Sequence, residues 1–133
     1  MTQLSEQQQW LQLLASGSNY AQDLIFEIKQ LDEPEYYRPY ELEENLKERP
    51  LSVDVRSNSW QQPMEKLDPD EFQILLSTGG PAMRIIGDLD EHCQPINAKI
   101  QVQDWFKPWT TCDTNEEQDK ALLAFAHLFY YGV

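Results

Sequence analysis

The chain has 133 residues and carries 23 Asp and Glu against 10 Lys and Arg, which gives a formal net charge of -13. Because an acidic surface repels nucleic-acid phosphates and anionic lipid headgroups, this balance disfavours a direct nucleic-acid or membrane binder and favours a basic protein partner. Acidity that serves only to keep the protein soluble is the alternative interpretation.

Composition indicates one domain over residues 1–133 with enough apolar residues, 41% of the total, to build a core. No apolar run approaches the ~20 residues that cross a bilayer. The first residues, MTQLSEQQQW, lack the basic and apolar regions of a secretory signal, which predicts a cytoplasmic protein. Cys93 and Cys112 are then expected to be reduced, with no disulfide.

Residues 1–50 are predicted to be an acidic helical region that begins with a helical hairpin. Ser5, followed by Gln8, caps the first helix, and Gly17 ends it. Asn19 caps the second helix. Its apolar residues have helical spacing (Leu24, Ile25, Ile28 and Leu31), and its charged residues are expected to face water (Asp23, Glu27 and Lys29).

The segment 32–50, DEPEYYRPYELEENLKERP, combines acidic residues with tyrosines. Pro39 is predicted to open a short helix that runs to about Arg49, and Pro50 ends it. Charge accelerates association, and aromatic anchors hold a complex together, so the segment is a candidate interface. The candidate partner-binding residues are Asp32, Glu33, Glu35, Tyr36, Tyr37, Tyr40, Glu41, Glu43 and Glu44. A solvated connector is the alternative.

Residues 51–133 are predicted to form a sheet followed by a helix. Leu51, Val53 and Val55 alternate with polar residues, which is typical of a strand. Further strands are predicted over 71–78, 82–89 and 98–106, with Gly79-Gly80-Pro81 as a tight turn. A terminal helix is capped by Thr114 or Asn115, has one apolar stripe and ends before Gly132 (the stripe is Leu122, Phe125, Ala126 and Phe129). The fold class is therefore α+β, an antiparallel sheet of about four strands flanked by N-terminal helices and a C-terminal helix.

Catalytic and metal-binding motifs are sparse. His92 is expected in an exposed turn, and His127 is expected to be packed in the last helix. Cys93 and Cys112 lack the paired spacing of a zinc site, so no metal and no cofactor are predicted. The glycines of the Gly79-Gly80 turn are explained by a hairpin, although a nearby Arg84 leaves an anion-binding role open. The stretch QDWFKPWT places Trp105 and Trp109 near a strand end, where one is expected in the core and an exposed one marks a recognition surface.

Three stretches, LSVDVRS, EFQILLSTGGPAMRIIGDLDE and QDWFKPWT, resemble a family of small, largely uncharacterised proteins of bacteriophages and other mobile elements. The stretch LFYYG is similar to the closing helix of that family. The resemblance implies a phage protein that acts in the cytoplasm of a host cell. With the acidity, it implies a DNA mimic of the anti-CRISPR or anti-restriction type, which would inhibit a host protein or ribonucleoprotein complex by occupying its basic nucleic-acid-binding surface.

Two other functions remain open. The first is a phage accessory or interaction protein without inhibitory activity. The second is a small enzyme that uses Arg56, Arg84 and Asp104 around the Gly79-Gly80 turn. The secondary site candidates are therefore Arg56, Arg84, Trp105 and Trp109; the main prediction is a non-enzymatic binding protein.

Overall fold

The computed structural model describes residues 4–33, 39–64 and 68–132. The fold is α+β, as predicted, with five strands where about four were expected. Neighbouring strands are antiparallel, and their order in the sheet is their order in the chain. The elements are α1 (Glu6–Asp32), α2 (Pro39–Glu48), β1 (Ser52–Arg56), β2 (Glu71–Ser77), β3 (Ala82–Asp88), β4 (Lys99–Asp104), β5 (Lys107–Thr111) and α3 (Glu116–Ala126).

Helix α1 is one continuous helix, so the predicted helical hairpin is wrong. Ser5 and Gln8 form the expected capping box, but the helix passes through Gly17 without a break. Gly17 is buried against Cys112, and a Cβ at this position would overlap the Cys112 thiol. The glycine therefore allows a close approach between α1 and the chain after β5. Its cost to the helix, about 1 kcal/mol, is outweighed by the burial of Ala21 and Leu24 one and two turns later.

Helix α2 begins at Pro39 as predicted and ends at Glu48, before Pro50. Its Leu46 is fully buried. The residue after the helix, Arg49, hydrogen-bonds to Glu27 of α1 through both terminal nitrogens of its guanidinium group. The expectation that Glu27 faces water is therefore wrong, because this carboxylate turns toward α2 and is only 20% exposed.

The predicted long strand over 98–106 is instead a hairpin. Strand β4 ends at Asp104, which pairs with Lys107 of β5 across the turn residues Trp105 and Phe106. The turn lacks the Asn-Gly or Gly-rich pair that is typical of a two-residue hairpin loop, and its aromatic residues have high strand propensity. For this reason the local sequence predicts a continuous strand at the point where the chain reverses.

Helix α3 is capped by Asn115, with Gln118 completing a capping box. It ends at Ala126, with His127 as the C-cap. Phe129 therefore lies beyond the helix, although its ring still packs against Phe125 at 5.2 Å between centroids. His127 is exposed, which contradicts the expected packed histidine. The reason is its position one residue past the last buried residue of the stripe, where the chain leaves the core.

The core lies between the helices and one face of the sheet. Ile74, Ile85 and Ile100 are paired across β2, β3 and β4, and all three are fully buried. They pack in one cluster with Leu24 of α1 and Leu122 of α3. The opposite face of the sheet carries no helix among the described residues, so we call it the open face. Within the described ranges, no helix combines the length and apolar character that a membrane span requires.

Candidate functional site

The charge of the protein is divided unequally between helices and strands. Helices α1, α2 and α3, which we call the acidic helical layer, carry eleven acidic residues against three lysines. The five strands carry four acidic and four basic residues. The acidic residues of the layer are Glu6, Asp23, Glu27, Asp32, Glu41, Glu43, Glu44, Glu48, Glu116, Glu117 and Asp119.

The predicted partner-binding residues that the structure describes belong to this layer or adjoin it. Asp32 ends α1, and Glu33 is its C-cap. The others lie on α2: Tyr40, Glu41, Glu43 and Glu44. Glu35, Tyr36 and Tyr37 lie outside the described residues. The Tyr40 ring is 65% exposed, and its hydroxyl donates to Glu41.

Phe26, which was not among the residues predicted from the sequence, is 66% exposed on α1. Three consecutive apolar residues, Leu24, Ile25 and Phe26, cannot all face one side of a helix, because each residue is rotated by about 100° from the last. Leu24 and Ile25 enter the core, so Phe26 points to solvent. That geometric signal was present in the sequence. An exposed ring beside Asp23 is a candidate anchor within the acidic helical layer.

The open face of the sheet forms a hollow of about 560 Å³. Cross-strand register brings its polar residues together, since Asp54, Gln73, Ile86 and Lys99 form one row across four strands. The next row contains Arg56, Glu71 and Asp88, and Arg56 and Glu71 form an ion pair. We call this cavity the open-face hollow; it is lined by Asp54, Val55, Arg56, Glu71, Phe72, Gln73, Arg84, Ile86, Gly87, Asp88, Asn97 and Lys99.

Arg84 lies at the edge of the open-face hollow and is held by neutral groups. Its Nε donates to Gln101 Oε1 at 3.0 Å, and its Nη1 donates to Gln73 Oε1 at 2.7 Å. The guanidinium carbon lies 4.2 Å from the centroid of the Trp109 ring, which is a cation–π distance. Burial, with a smaller contribution from the nearby charge of Arg56, lowers the pKa of Arg84.

The residues of the predicted enzyme are only partly brought together. Arg56 and Arg84 line the same hollow, whereas Asp104 lies at the β4–β5 turn and accepts a hydrogen bond from the Trp105 backbone N–H. The Gly79-Gly80 turn precedes Ala82, which pairs with Gln103, so the turn lies at the end of β3 near Arg84 and far from Arg56, which is in the row of Asp88. Trp105 packs on Gly80, where a Cβ would overlap the indole ring.

The two candidate tryptophans have different surroundings. Trp109 is half-buried behind Arg84, while Trp105 is 77% exposed at the hairpin tip. Phe106 beside it is also exposed. Neither ring is among the fully buried core residues, so the expectation that one of them fills the core is wrong. Core positions at that end of the sheet are filled by Val102 and Cys112.

The cysteines and histidines do not assemble into a metal site in the part of the chain that the structure describes, where no group of three potential ligands is found. Cys93 and Cys112 are both free thiols. Burial, with a smaller contribution from Asp113, raises the pKa of Cys112 to about 11. His92 is exposed, and its backbone N–H donates to Asp90, whose pKa is lowered chiefly by a hydrogen bond from the Gln94 backbone N–H.

Comparison of the chain with protein-family models, with curated proteins and with solved structures finds no match. The resemblance to a phage family therefore stays a prediction.

Proposed function

We propose that this protein binds a basic surface of a host nucleic-acid-processing defence complex through its acidic helical layer and thereby inhibits that complex. The observation that carries the proposal is the unequal division of charge, with eleven acidic residues against three lysines on the helices and an even balance on the strands. Charge that served only solubility would have no reason to concentrate on one layer.

Helices give the acidic side chains fixed positions. Duplex DNA carries about one negative charge per 1.7 Å of its axis, and a basic groove that binds DNA is complementary to such a dense array. Carboxylates on packed helices provide a comparable field without the entropy loss that a flexible polyanion suffers when it is ordered. Helix α1 is anchored by the buried residues Ala21 and Leu24, and α2 is anchored by Leu46 and by the Arg49–Glu27 ion pair.

Affinity requires contacts beyond charge. Interface hot spots are enriched in large aromatic residues, while charged groups chiefly affect association rate and specificity. Phe26 and Tyr40 supply exposed aromatic rings on α1 and α2, at 66% and 65% exposure. The layer thus combines a long-range field with two anchors that become buried on binding.

The test begins with the protein immobilised and exposed to a bacterial lysate at low and at high salt. We expect it to retain a nucleic-acid-processing complex at low salt, and we expect duplex DNA to compete with the captured complex for that surface. Addition of the protein should then inhibit the enzymatic activity of the purified complex. A partner that binds without loss of its own activity would indicate the accessory function instead. A partner whose capture is not reduced by competing duplex DNA would contradict the proposal.

The anchors are tested by truncation. Phe26→Ala and Tyr40→Ala should each accelerate dissociation of the purified complex about tenfold, because each removes an aromatic contact from the interface centre. Leu51→Ala is the control, since Leu51 is 61% exposed and precedes β1, outside the acidic helical layer. Equal dissociation rates for all three variants would show that the aromatic residues of the layer are not part of the interface.

A further inference from the structure

Arg84 differs from most of the cations that the structure describes. Six of the eight described Lys and Arg side chains form an ion pair with a carboxylate. Among the described residues, Arg84 and Lys107 have no carboxylate partner, and each lies over a tryptophan ring instead. Lys107 is exposed at the sheet edge, whereas Arg84 is half-buried at the centre of the open face. Arg84 therefore carries a positive charge that no carboxylate of the described residues compensates, although acidic residues are abundant in this chain.

The partners of Arg84 orient its guanidinium group without neutralising it. A guanidinium has five N–H donors, and the amide oxygens of Gln73 and Gln101 take one each. The Gln101 amide is itself fixed by a hydrogen bond from its Nε2 to Thr111 Oγ1 at 3.0 Å. Three N–H donors of Arg84 therefore have no acceptor among the described residues. A planar, oriented guanidinium with free donors is the group that proteins use to bind a carboxylate.

The surroundings of Arg84 restrict the charge of the ligand. Glu71 already compensates Arg56, and Asp119 outside the hollow compensates Lys99 at 2.9 Å. Asp54 and Asp88 also line the hollow. A dianion such as a phosphate monoester would meet one unpaired cation and several carboxylates, which is an unfavourable balance. A monoanion matches the single uncompensated charge.

The shape of the cavity indicates a small molecule. Its volume of about 560 Å³ lies in the range of pockets that bind small organic ligands. Ile86 supplies an apolar surface in the middle of the hollow, one row from Arg84 in the register.

We propose that the open-face hollow is a binding site for a small organic carboxylate, whose carboxylate group is bound by the free donors of Arg84 and whose apolar body lies on Ile86. This site lies on the face of the sheet opposite the helices, so it does not depend on the function proposed for the acidic helical layer.

The experiment is a titration of the full-length protein, labelled with nitrogen-15, with 2-naphthoate while the backbone amide signals, the Arg84 Nε–H signal and the Trp109 indole N–H signal are recorded. We expect saturable shifts at Arg84, Gln73 and Ile86, with a dissociation constant in the millimolar range that is ordinary for a fragment of this size. The matched neutral probe is 2-naphthamide, which has the same shape and no charge. It should bind about tenfold more weakly, because hydrogen bonds to a charged partner are the stronger ones.

Arg84→Gln should lose saturable binding of 2-naphthoate, whereas Lys107→Gln should retain it. Lys107 is the matched control because it is the other described cation without a carboxylate partner and the change in net charge is the same.

Inorganic phosphate serves as the second anion and should not saturate the site. The proposal is overturned if 2-naphthoate and 2-naphthamide shift the same signals equally in the unmodified protein, a comparison that does not depend on the folding of any variant. Tighter binding of phosphate than of 2-naphthoate would also contradict the assignment of a carboxylate.

Discussion

The acidic helical layer and the sheet use charge in opposite ways. On the helices, acidic residues outnumber lysines by eleven to three. On the strands, four acidic and four basic residues balance, and register places Arg56 beside Glu71. The helices therefore carry more than half of the net charge of -13, and the strands contribute none of it. The sheet contributes packing and one oriented, uncompensated guanidinium.

The sheet has a close backbone approach at Gly87, where a substitution is expected to reduce stability most. In Gly87→Ala, the new Cβ would overlap the backbone carbonyl oxygen of Asn97 and lie 2.6 Å from the Phe72 ring. Because a backbone atom cannot move aside cheaply, we expect a loss of about 3 kcal/mol in the free energy of unfolding, measured by urea denaturation.

Gly79→Ala is the control for that change. Gly79 has no atom within 4 Å of an added Cβ, and its φ of 100° is the only source of strain there. We expect it to cost about 1 kcal/mol. Equal costs for the two substitutions would mean that the approach between β3 and Asn97 is looser than the structure has it.

A close contact between the two regions gives a smaller effect that one further substitution relieves. Gly17→Ala would place a Cβ against the thiol of Cys112, and we expect it to lower the free energy of unfolding by about 2 kcal/mol. In the double variant with Cys112→Ala, the thiol is gone, and the helix gains the better propensity of alanine. The double variant should therefore be more stable than the sum of the single changes predicts. Strict additivity in the denaturation data would rule out the contact.

Matched Arg–Glu pairs allow the electrostatics of the two regions to be compared. The Arg49–Glu27 pair in the helical layer has side-chain exposures of 31% and 20%, while Arg56 in the sheet pair is 78% exposed. We expect Arg49→Gln to cost about 1 kcal/mol, because it leaves the carboxylate of Glu27 half-buried without its partner. Arg56→Gln should cost about 0.5 kcal/mol or less, as exposed ion pairs do. The ranking is checked by thermal denaturation at low and at high salt, and a larger loss for Arg56→Gln would reverse it.

The two thiols are expected to differ in their rate of reaction with a disulfide reagent. Cys112 is buried, and burial raises its pKa to about 11, so its thiolate is scarce at pH 8. Cys93 is only half-buried, in a surface turn, and is more accessible to the reagent. A disulfide reagent should therefore modify Cys93 quickly and Cys112 slowly, and Cys93→Ser should remove the fast phase.

The raised pKa of Cys112 also predicts a pH dependence of stability. Since the pKa is higher in the folded protein, the unfolded chain loses this proton first as the pH rises. Folding stability should then fall as the pH rises from about 9 to about 11.

Much of the fold was predictable because its signals are local. Pro39 at the start of α2, the alternation of Val53 and Val55 in β1, and the capping box of Asn115 and Gln118 depend only on neighbours in the chain. The failures were not local. From its neighbours in the sequence, Gly17 resembles a helix stop. A glycine is needed there because Cys112, which is 95 residues away in the chain, leaves no room for a Cβ.

In the candidate sites too, features that depend on neighbouring residues were predictable, and features that depend on strand register were not. The acidic run on α2 is visible in the sequence, and the exposure of Phe26 follows from helix geometry. The partners of Arg84 were not predictable, because Gln73 and Gln101 reach it only through the register of three strands. The placement of Arg56 in the same hollow and the exclusion of Asp104 from its lining depend on that register too.

Two variants with the same change in charge test whether the acidic helical layer is the binding surface. One replaces Glu41, Glu43 and Glu44 of α2 by Gln; the other replaces Asp54, Asp88 and Asp104 of the strands by Asn. Association with the captured complex is measured against salt concentration. We predict that the helix variant associates about tenfold more slowly at low salt and has a flatter salt dependence, while the strand variant associates like the unmodified protein. Equal slowing by both variants would show that only net charge matters and that the helices are not the binding surface.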